Sequence, residues 1–322
     1  MSVETCHPLS QNQSLFGRRR ESAGAGAPAS CRRELQLAGR MPALQGLTRS
    51  ALARERVVIA RAALASCHLC THHCGVNRLA GELGQCHAGS SANLFLSQTE
   101  MTDELELIPT FAVALSGCDL RCDFCITGAE SWNPRAGKPF GPEETAARAK
   151  EALADGARTV MILGGEPTIH LPVVLEFVSH LPDDAKLVWK TNAHGSAQAR
   201  ELLDGIFDVW LADYKFGNDD CARRLAKVSD YSSVVRENLR WASDHNELIV
   251  RHLLMPGHVE CCWQPVAEWL AEHLPGVKVN LRSGFWPAWK SSRHTELCGT
   301  VSNNETRSAW RIAEHLGLNL IP

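Results

Sequence analysis

The 322 residues contain no apolar run long enough to cross a bilayer, so no membrane partner is expected. No export signal is evident, and none is expected. The Arg18-Arg19-Arg20 cluster is followed by the small, Gly- and Pro-rich stretch 23–30, not by the apolar segment that a twin-arginine signal requires. Charge of one sign is also lacking, with 33 Lys and Arg against 36 Asp and Glu. Without a basic stripe nothing draws a polyanion, and nucleic acid is not an expected partner. Cysteine, by contrast, is abundant, at thirteen residues. Seven of these fall in two tight groups, which suits metal binding better than stapled loops and points to a reducing, cytoplasmic compartment. The other six, Cys6, Cys31, Cys221, Cys261, Cys262 and Cys298, default to small, buried apolar roles.

Residues 1–50 show little periodicity and read as a disordered extension, with Met41 as an alternative start. Glu4, Glu21 and Glu34 count against an organelle-targeting peptide. Residues 51–109 read as a helix (51–65) leading into a Cys-, His- and Gly-rich module. From 110 to 322 strands and helices alternate. Strand-like runs are Phe111–Leu115, Thr159–Leu163, Lys186–Lys190, Val209–Ala212, Leu248–Leu254 and Val277–Leu281. Helical patterns cover Pro142–Ala154, Leu171–His180, Ala197–Leu203, Tyr231–Ser243, Gln264–His273 and roughly Glu305–His315. Short, largely apolar strands separated by helices imply parallel pairing, right-handed crossovers and cover on both faces. The expected fold class is α/β: a TIM-like partial (βα)6 barrel with an N-terminal Cys-rich metal-binding module. Chemistry is expected at the C-terminal ends of the strands. A doubly wound open sheet is the competing arrangement, and periodicity does not separate the two.

The first strand runs into Cys118-Asp-Leu-Arg-Cys122-Asp-Phe-Cys125. Three thiolates at this spacing can wrap one iron–sulfur cubane and leave one iron without a protein ligand, an open site for a cosubstrate. Zinc is the rival, but a closed structural zinc site wants four ligands. CDLRCDFC resembles the CxxxCxxC signature of the radical S-adenosylmethionine (SAM) superfamily, including the aromatic Phe124. The resemblance implies a [4Fe–4S] cluster on Cys118, Cys122 and Cys125, with SAM on the fourth iron. It covers about two thirds of the chain, from Phe111 onward.

Leu163-Gly164-Gly165-Glu166-Pro167 ends the second strand. Glycines let backbone approach a ligand closely, although a strand-to-helix turn uses them for structure alone. Beside the cysteine loop the segment looks like the family's GGE motif, which implies SAM binding by Gly164, Gly165 and Glu166, the carboxylate accepting from the methionine ammonium. Similar strand-end segments of the family match Asn192, Asp213 and Arg251. Each has a bland reading too: a helix cap, a solvated pair with Lys215, and a bridge to core carboxylates. Trp263, Trp269 and Trp310 sit on helical patterns and read as packing. Phe285-Trp286-Pro287-Ala288-Trp289 could wall a substrate pocket or pack in the core.

Ahead of the barrel, Cys67, Cys70, Cys74 and Cys86 form a complete four-thiolate set, for a second [4Fe–4S] cluster or for zinc. CHLCTHHCGVNRLAGELGQC in this position resembles the PflX-like proteins, relatives of pyruvate formate-lyase activating enzyme. That implies an enzyme cleaving SAM to a 5′-deoxyadenosyl radical, with a flavodoxin or ferredoxin as electron donor. The substrate class stays open between a protein or peptide and a small molecule. A non-catalytic iron–sulfur carrier is the rival from another class. Two stretches depart from those relatives, Ile126-Thr127 after the third cysteine and Arg282-Ser283-Gly284-Phe285-Trp286-Pro287 after the sixth strand. Both are expected near the substrate.

Overall fold

The computed structural model describes residues 46–322 apart from residue 103. The expected disordered extension, together with Cys6 and Cys31, falls largely outside the described residues. In chain order the elements are α1 (Arg49–Ala63), β1 (Asn93–Glu100), β2 (Thr110–Leu115), α2 (Ala129–Trp132), β3 (Lys138–Pro139), α3 (Pro142–Ala154), β4 (Thr159–Gly164), α4 (Leu171–Ser179) and β5 (Leu187–Thr191). There follow α5 (Ala197–Leu203), β6 (Val209–Asp213), α6 (Asp219–Ala226), α7 (Tyr231–His245), β7 (Glu247–Leu253), α8 (Gln264–His273), β8 (Lys278–Arg282), α9 (Asn303–His315) and β9 (Asn319–Leu320).

The described strands form one sheet in the order β3-β1-β2-β4-β5-β6-β7-β8-β9. Strands β2, β4, β5, β6, β7 and β8 are neighbours in the order of the chain and all parallel. A doubly wound sheet reverses its order at a switch point. This one never does, so every crossover turns the same way and the fold is the barrel type. It is open, with β1 antiparallel on β2 at one side and β9 added to β8 at the other.

Alternation along the strands sorts the side chains onto two faces. Phe111, Val113, Leu115, Val160, Ile162, Leu187, Trp189, Val250 and Val279 join the helices in the main core. Met161, Val188, Val209, Leu211 and Ile249 meet on the concave face, with Leu107, as a smaller apolar cluster. Each such buried side chain contributes roughly 1.5–3 kcal/mol, which is why these runs are so apolar. Two residues beyond Val188, Leu211 and Ile249 on the same face stand Lys190, Asp213 and Arg251, at the C-terminal rim. The period of two therefore puts charge where the apolar plug ends.

Helix α1 covers α4 from outside, with Arg61 paired to Glu176 and Arg54 Nη2 donating to Ser179 O at 3.1 Å. Strand β1, only partly buried, and α6, short and polar, are elements that hydropathy alone does not mark.

Candidate active site

A cavity of about 400 Å³ opens at the C-terminal rim. Cys118, Cys122, Phe124 and Cys125 line it from the loop after β2, Gly164 and Gly165 from the end of β4. Lys190 and Asn192 reach it from β5, Asp213 and Lys215 from β6, Arg251 from β7 and Arg282 from β8. Of the sequence-expected cofactor residues, only Glu166 is not part of this lining.

The cysteine loop is held by backbone. Arg121 N donates to Ala226 O at 2.9 Å and Asp123 N to Leu225 O at 2.8 Å, so the loop satisfies carbonyls that the end of α6 would otherwise leave unpaired. Asp123 is buried and accepts from Lys227 Nζ at 2.9 Å, with His294 Nε2 2.8 Å away. Phe124 packs edge-on to Phe216, ring centroids 6.0 Å apart.

Gly165 must be glycine because a β-carbon there would lie 1.9 Å from Gly117 O. The close approach it permits is between two strand ends: Gly165 N donates to Leu115 O and Glu166 N to Gly117 O. Glu166 itself is turned inward, 1% exposed. Its carboxylate accepts from Thr168 N, Thr168 Oγ1, Thr191 Oγ1 and Asn192 N, tying β4 to β5. Burial, followed by the nearby Asp119, pushes its carboxyl up to about 7. The ammonium contact expected from the sequence meets a carboxylate already engaged by four donors.

Asn192 Nδ2 donates to Asp119 Oδ1 at 2.7 Å and lies 3.8 Å from Cys118 Sγ. Asp119 and His194 are buried side by side, and His72 Nε2 lies 3.0 Å from Asp119 O. Sequence reasoning gave no role to Asp119 or His194 and noted Thr191 only beside Asn192. The available signal was an Asp inside the cysteine loop and a His two residues after Asn192.

At the rim, Lys215 Nζ bonds Asp213 Oδ2, and Arg251 Nε stands 3.2 Å from Glu104 Oε1 and 3.9 Å from Asp213 Oδ1. Burial opposes ionisation of Asp213, but Lys215 and Arg251 outweigh it and hold the carboxyl below its usual range. Arg251 thus lines the cavity and also bridges a core carboxylate.

A family model described as the radical SAM superfamily matches residues 113–270, the stretch that holds both the cysteine loop and the glycine turn. An uncharacterized protein of Methanocaldococcus jannaschii is 31% identical over 278 residues, covering 83% of this chain and 79% of that protein. The chain belongs to the radical SAM superfamily. A 7-carboxy-7-deazaguanine synthase of Methanothermobacter thermautotrophicus is 29% identical over 123 residues, 38% of this chain and 48% of the synthase. Among solved structures, Streptococcus suis SuiB bound to its precursor peptide SuiA aligns with a TM-score of 0.50 at 15% identity. That match covers 63% of this chain and 46% of SuiB, and at this identity it speaks to fold alone.

Radical SAM proteins use a [4Fe–4S] cluster and SAM, and the residues here fit both. Burial pushes the Cys118 thiol up strongly and Cys122 to about 12, against the pull of Lys215 on the latter. Such thiols become thiolates when a cationic cluster supplies the compensating charge. Three of them on one loop, beside a cavity in the volume range of small-ligand sites, leave room for SAM next to the cluster.

The N-terminal cysteines of this radical SAM protein lie against the same loop. Cys67, Cys70 and Cys86 are buried, whereas Cys74 is exposed, its sulfur accepting from Gln85 N at 3.3 Å. Cys70 pairs as a bridge with Gly195, and Arg121 Nη2 donates to Gln85 O at 2.8 Å. Cys70, Cys86 and Cys118 all feel the charge of Asp119, so the two cysteine sets lie close to one buried carboxylate. Trp263 and Trp269 are buried, as their helical positions imply, but Trp310 is half exposed. Phe285 is buried while Trp286 lies open on the cavity lining.

Proposed function

We propose that this chain is a PflX-like radical SAM enzyme that reductively cleaves SAM and abstracts hydrogen from a protein or peptide substrate. The single observation that carries the reading is that Cys118, Cys122, Cys125, Gly164 and Gly165, from two adjacent strand ends, line one cavity. When bound, the cluster supplies the electron that breaks a carbon–sulfur bond of SAM and yields a 5′-deoxyadenosyl radical. In this reading the protein's own groups position and shield. Gly164 and Gly165 offer backbone to the methionine end, and Asn192 orients the loop through Asp119. Asp213 and Arg251 offer opposite charges to polar groups of SAM or substrate, and Phe124 closes off water. Glu166 acts as a positioning residue, fixing the glycine turn against Thr191 and Asn192.

The substrate class rests on the rim. Ile126 is 81% exposed and Trp286 68%, and both line the cavity mouth. Large apolar side chains left open around a catalytic entrance suit a docking peptide better than a small polar molecule. The second reading, a small anionic substrate, is favoured by Lys190, Lys215, Arg251 and Arg282 on the same wall. The contact between the two cysteine loops, through Arg121 with Gln85 O and His72 with Asp119 O, supports a second [4Fe–4S] cluster on Cys67, Cys70, Cys74 and Cys86, relaying electrons from a flavodoxin or ferredoxin. About eight irons per chain are expected, and about four would overturn it.

The test of the enzyme class is 5′-deoxyadenosine formation by anaerobically reconstituted, dithionite-reduced protein beside a Cys122→Ala control. Product in the wild type alone is expected. Failure to bind SAM despite a loaded cluster would leave the electron-carrier reading.

A further inference from the structure

Three cysteines that sequence reasoning left as apolar filler come together with one histidine. Cys221 sits in the first turn of α6; His258, Cys261 and Cys262 belong to the segment that follows β7 and leads into α8. There the chain makes a π-helical turn, Val259–Trp263, in which the His258 carbonyl accepts from both Cys262 N and Trp263 N at 3.1 Å. Such turns re-aim side chains and recur at functional positions. The four ligand atoms all lie within 4.8 Å of one another.

We propose that Cys221, His258, Cys261 and Cys262 form a closed Cys3His site for one zinc ion, independent of the SAM chemistry. The distances carry this. Cys261 Sγ is 3.9 Å from both Cys221 Sγ and Cys262 Sγ. His258 Nδ1 is 3.3 Å from Cys261 Sγ, 3.3 Å from Cys262 Sγ and 3.7 Å from Cys221 Sγ. Zinc with bonds of about 2.3 Å to sulfur and about 2.0 Å to nitrogen gives tetrahedral edges of roughly 3.8 Å and 3.6 Å. Thiolates on the corners of a cubane lie farther apart, so the set is sized for one ion and not for a cluster.

The surroundings match the chemistry. Asn218 Nδ2 donates toward Cys221 Sγ at 3.4 Å, as a thiolate ligand requires, and to Cys261 O at 2.6 Å, which ties the two loops together. A β-carbon on Gly217 would sit 2.4 Å from Cys262 O, so the two loops can close only with glycine there. The far nitrogen of His258 faces Glu296 Oε1 at 3.9 Å, the carboxylate that also pairs with Arg224. A metal-bound imidazole commonly faces a carboxylate in this way. Cys221, His258 and Cys262 are buried, and none of the four lines the cavity. With four protein ligands and no open position, the ion is structural: it clamps the loop after β6 to the loop after β7.

The test is zinc and iron analysis of full-length protein purified without oxygen, comparing wild type, Cys261→Ser/Cys262→Ser and Cys67→Ser/Cys70→Ser. Expected is about one zinc per chain that falls about tenfold in the first variant and survives in the second. Wild type without zinc, or zinc lost only with Cys67 and Cys70, overturns the site. Since the first variant could fail to fold, thiol alkylation mapped on wild type decides alone. Cys221, Cys261 and Cys262 should be protected until a chelator removes the ion. Equal labelling before and after chelation, or a cystine among them, overturns it.

Discussion

Asp119 Oδ2 lies 2.8 Å from His194 Nδ1, and both side chains are almost wholly buried. Burial opposes the Asp119 charge, but the bonds to His194 and Asn192 outweigh it and hold the carboxyl below its usual range. Removing one partner of such a pair leaves the other uncompensated. Asp119→Ala is expected to cost about 3 kcal/mol in denaturant unfolding of the metal-free protein. His194→Ala should cost a similar amount, and the double variant clearly less than the sum. Additive costs would mean that the two do not act as a pair.

Gly165→Ala places a methyl against the Gly117 carbonyl, and backbone on both sides cannot swing away. Strain of about 1–3 kcal/mol is expected. Delivered to the glycine turn, that is roughly a ten- to hundredfold weaker grip on SAM. Isothermal titration of the reconstituted variant reads this directly, and wild-type affinity would remove the turn from the SAM site.

His252 governs part of the acid response. Its Nδ1 donates to Tyr214 O at 2.7 Å, and its Nε2 is buried without a partner. Protonation would bury an unpaired N–H; burial, followed by Lys215, lowers the pKa from 6.5 to about 4. Between those values the unfolded chain binds the proton and the folded one does not, so stability falls as the pH drops through that window. Glu166, raised to about 7, runs the other way. The comparison must therefore be with His252→Gln. The wild type's stability relative to the variant should rise by up to about 3 kcal/mol from pH 4 to 6.5 and stay flat above. A pH-independent difference would show that folding leaves the His252 pKa unshifted.

Arg251→Ala removes a cation from beside Glu104, which is fully buried and also meets Asn280 Nδ2 at 3.2 Å. A loss of about 3 kcal/mol in thermal or chemical unfolding is expected. Adding Glu104→Gln should recover part of it. No recovery would assign the loss to the cavity side of Arg251 instead.

The six barrel strands were legible within a residue or so, because each is a short apolar run covered on both faces. Strand β1 was not, since its partial burial blurs any alternation, and α6 is only eight residues long, half of them charged. Cysteines in close spacing announced themselves as two sets. Cys221 did not, because its partners lie 37 to 41 residues downstream and only the return of β7 beside β6 brings them together. Cys298, expected to be buried, is exposed. Glu166 shows the converse limit: its motif was plain, but its four donors come from the folds of two neighbouring strand ends.

The loop of Cys118 to Cys125 rests on the last carbonyls of α6 and on the charges around Asp123. Those bonds are made by polypeptide alone. The conformational entropy of ordering the loop is therefore met during folding and not at metal capture. In the proposed reading iron and sulfide enter a standing frame, and a protein that loses them to air is expected to keep the frame into which they can be returned.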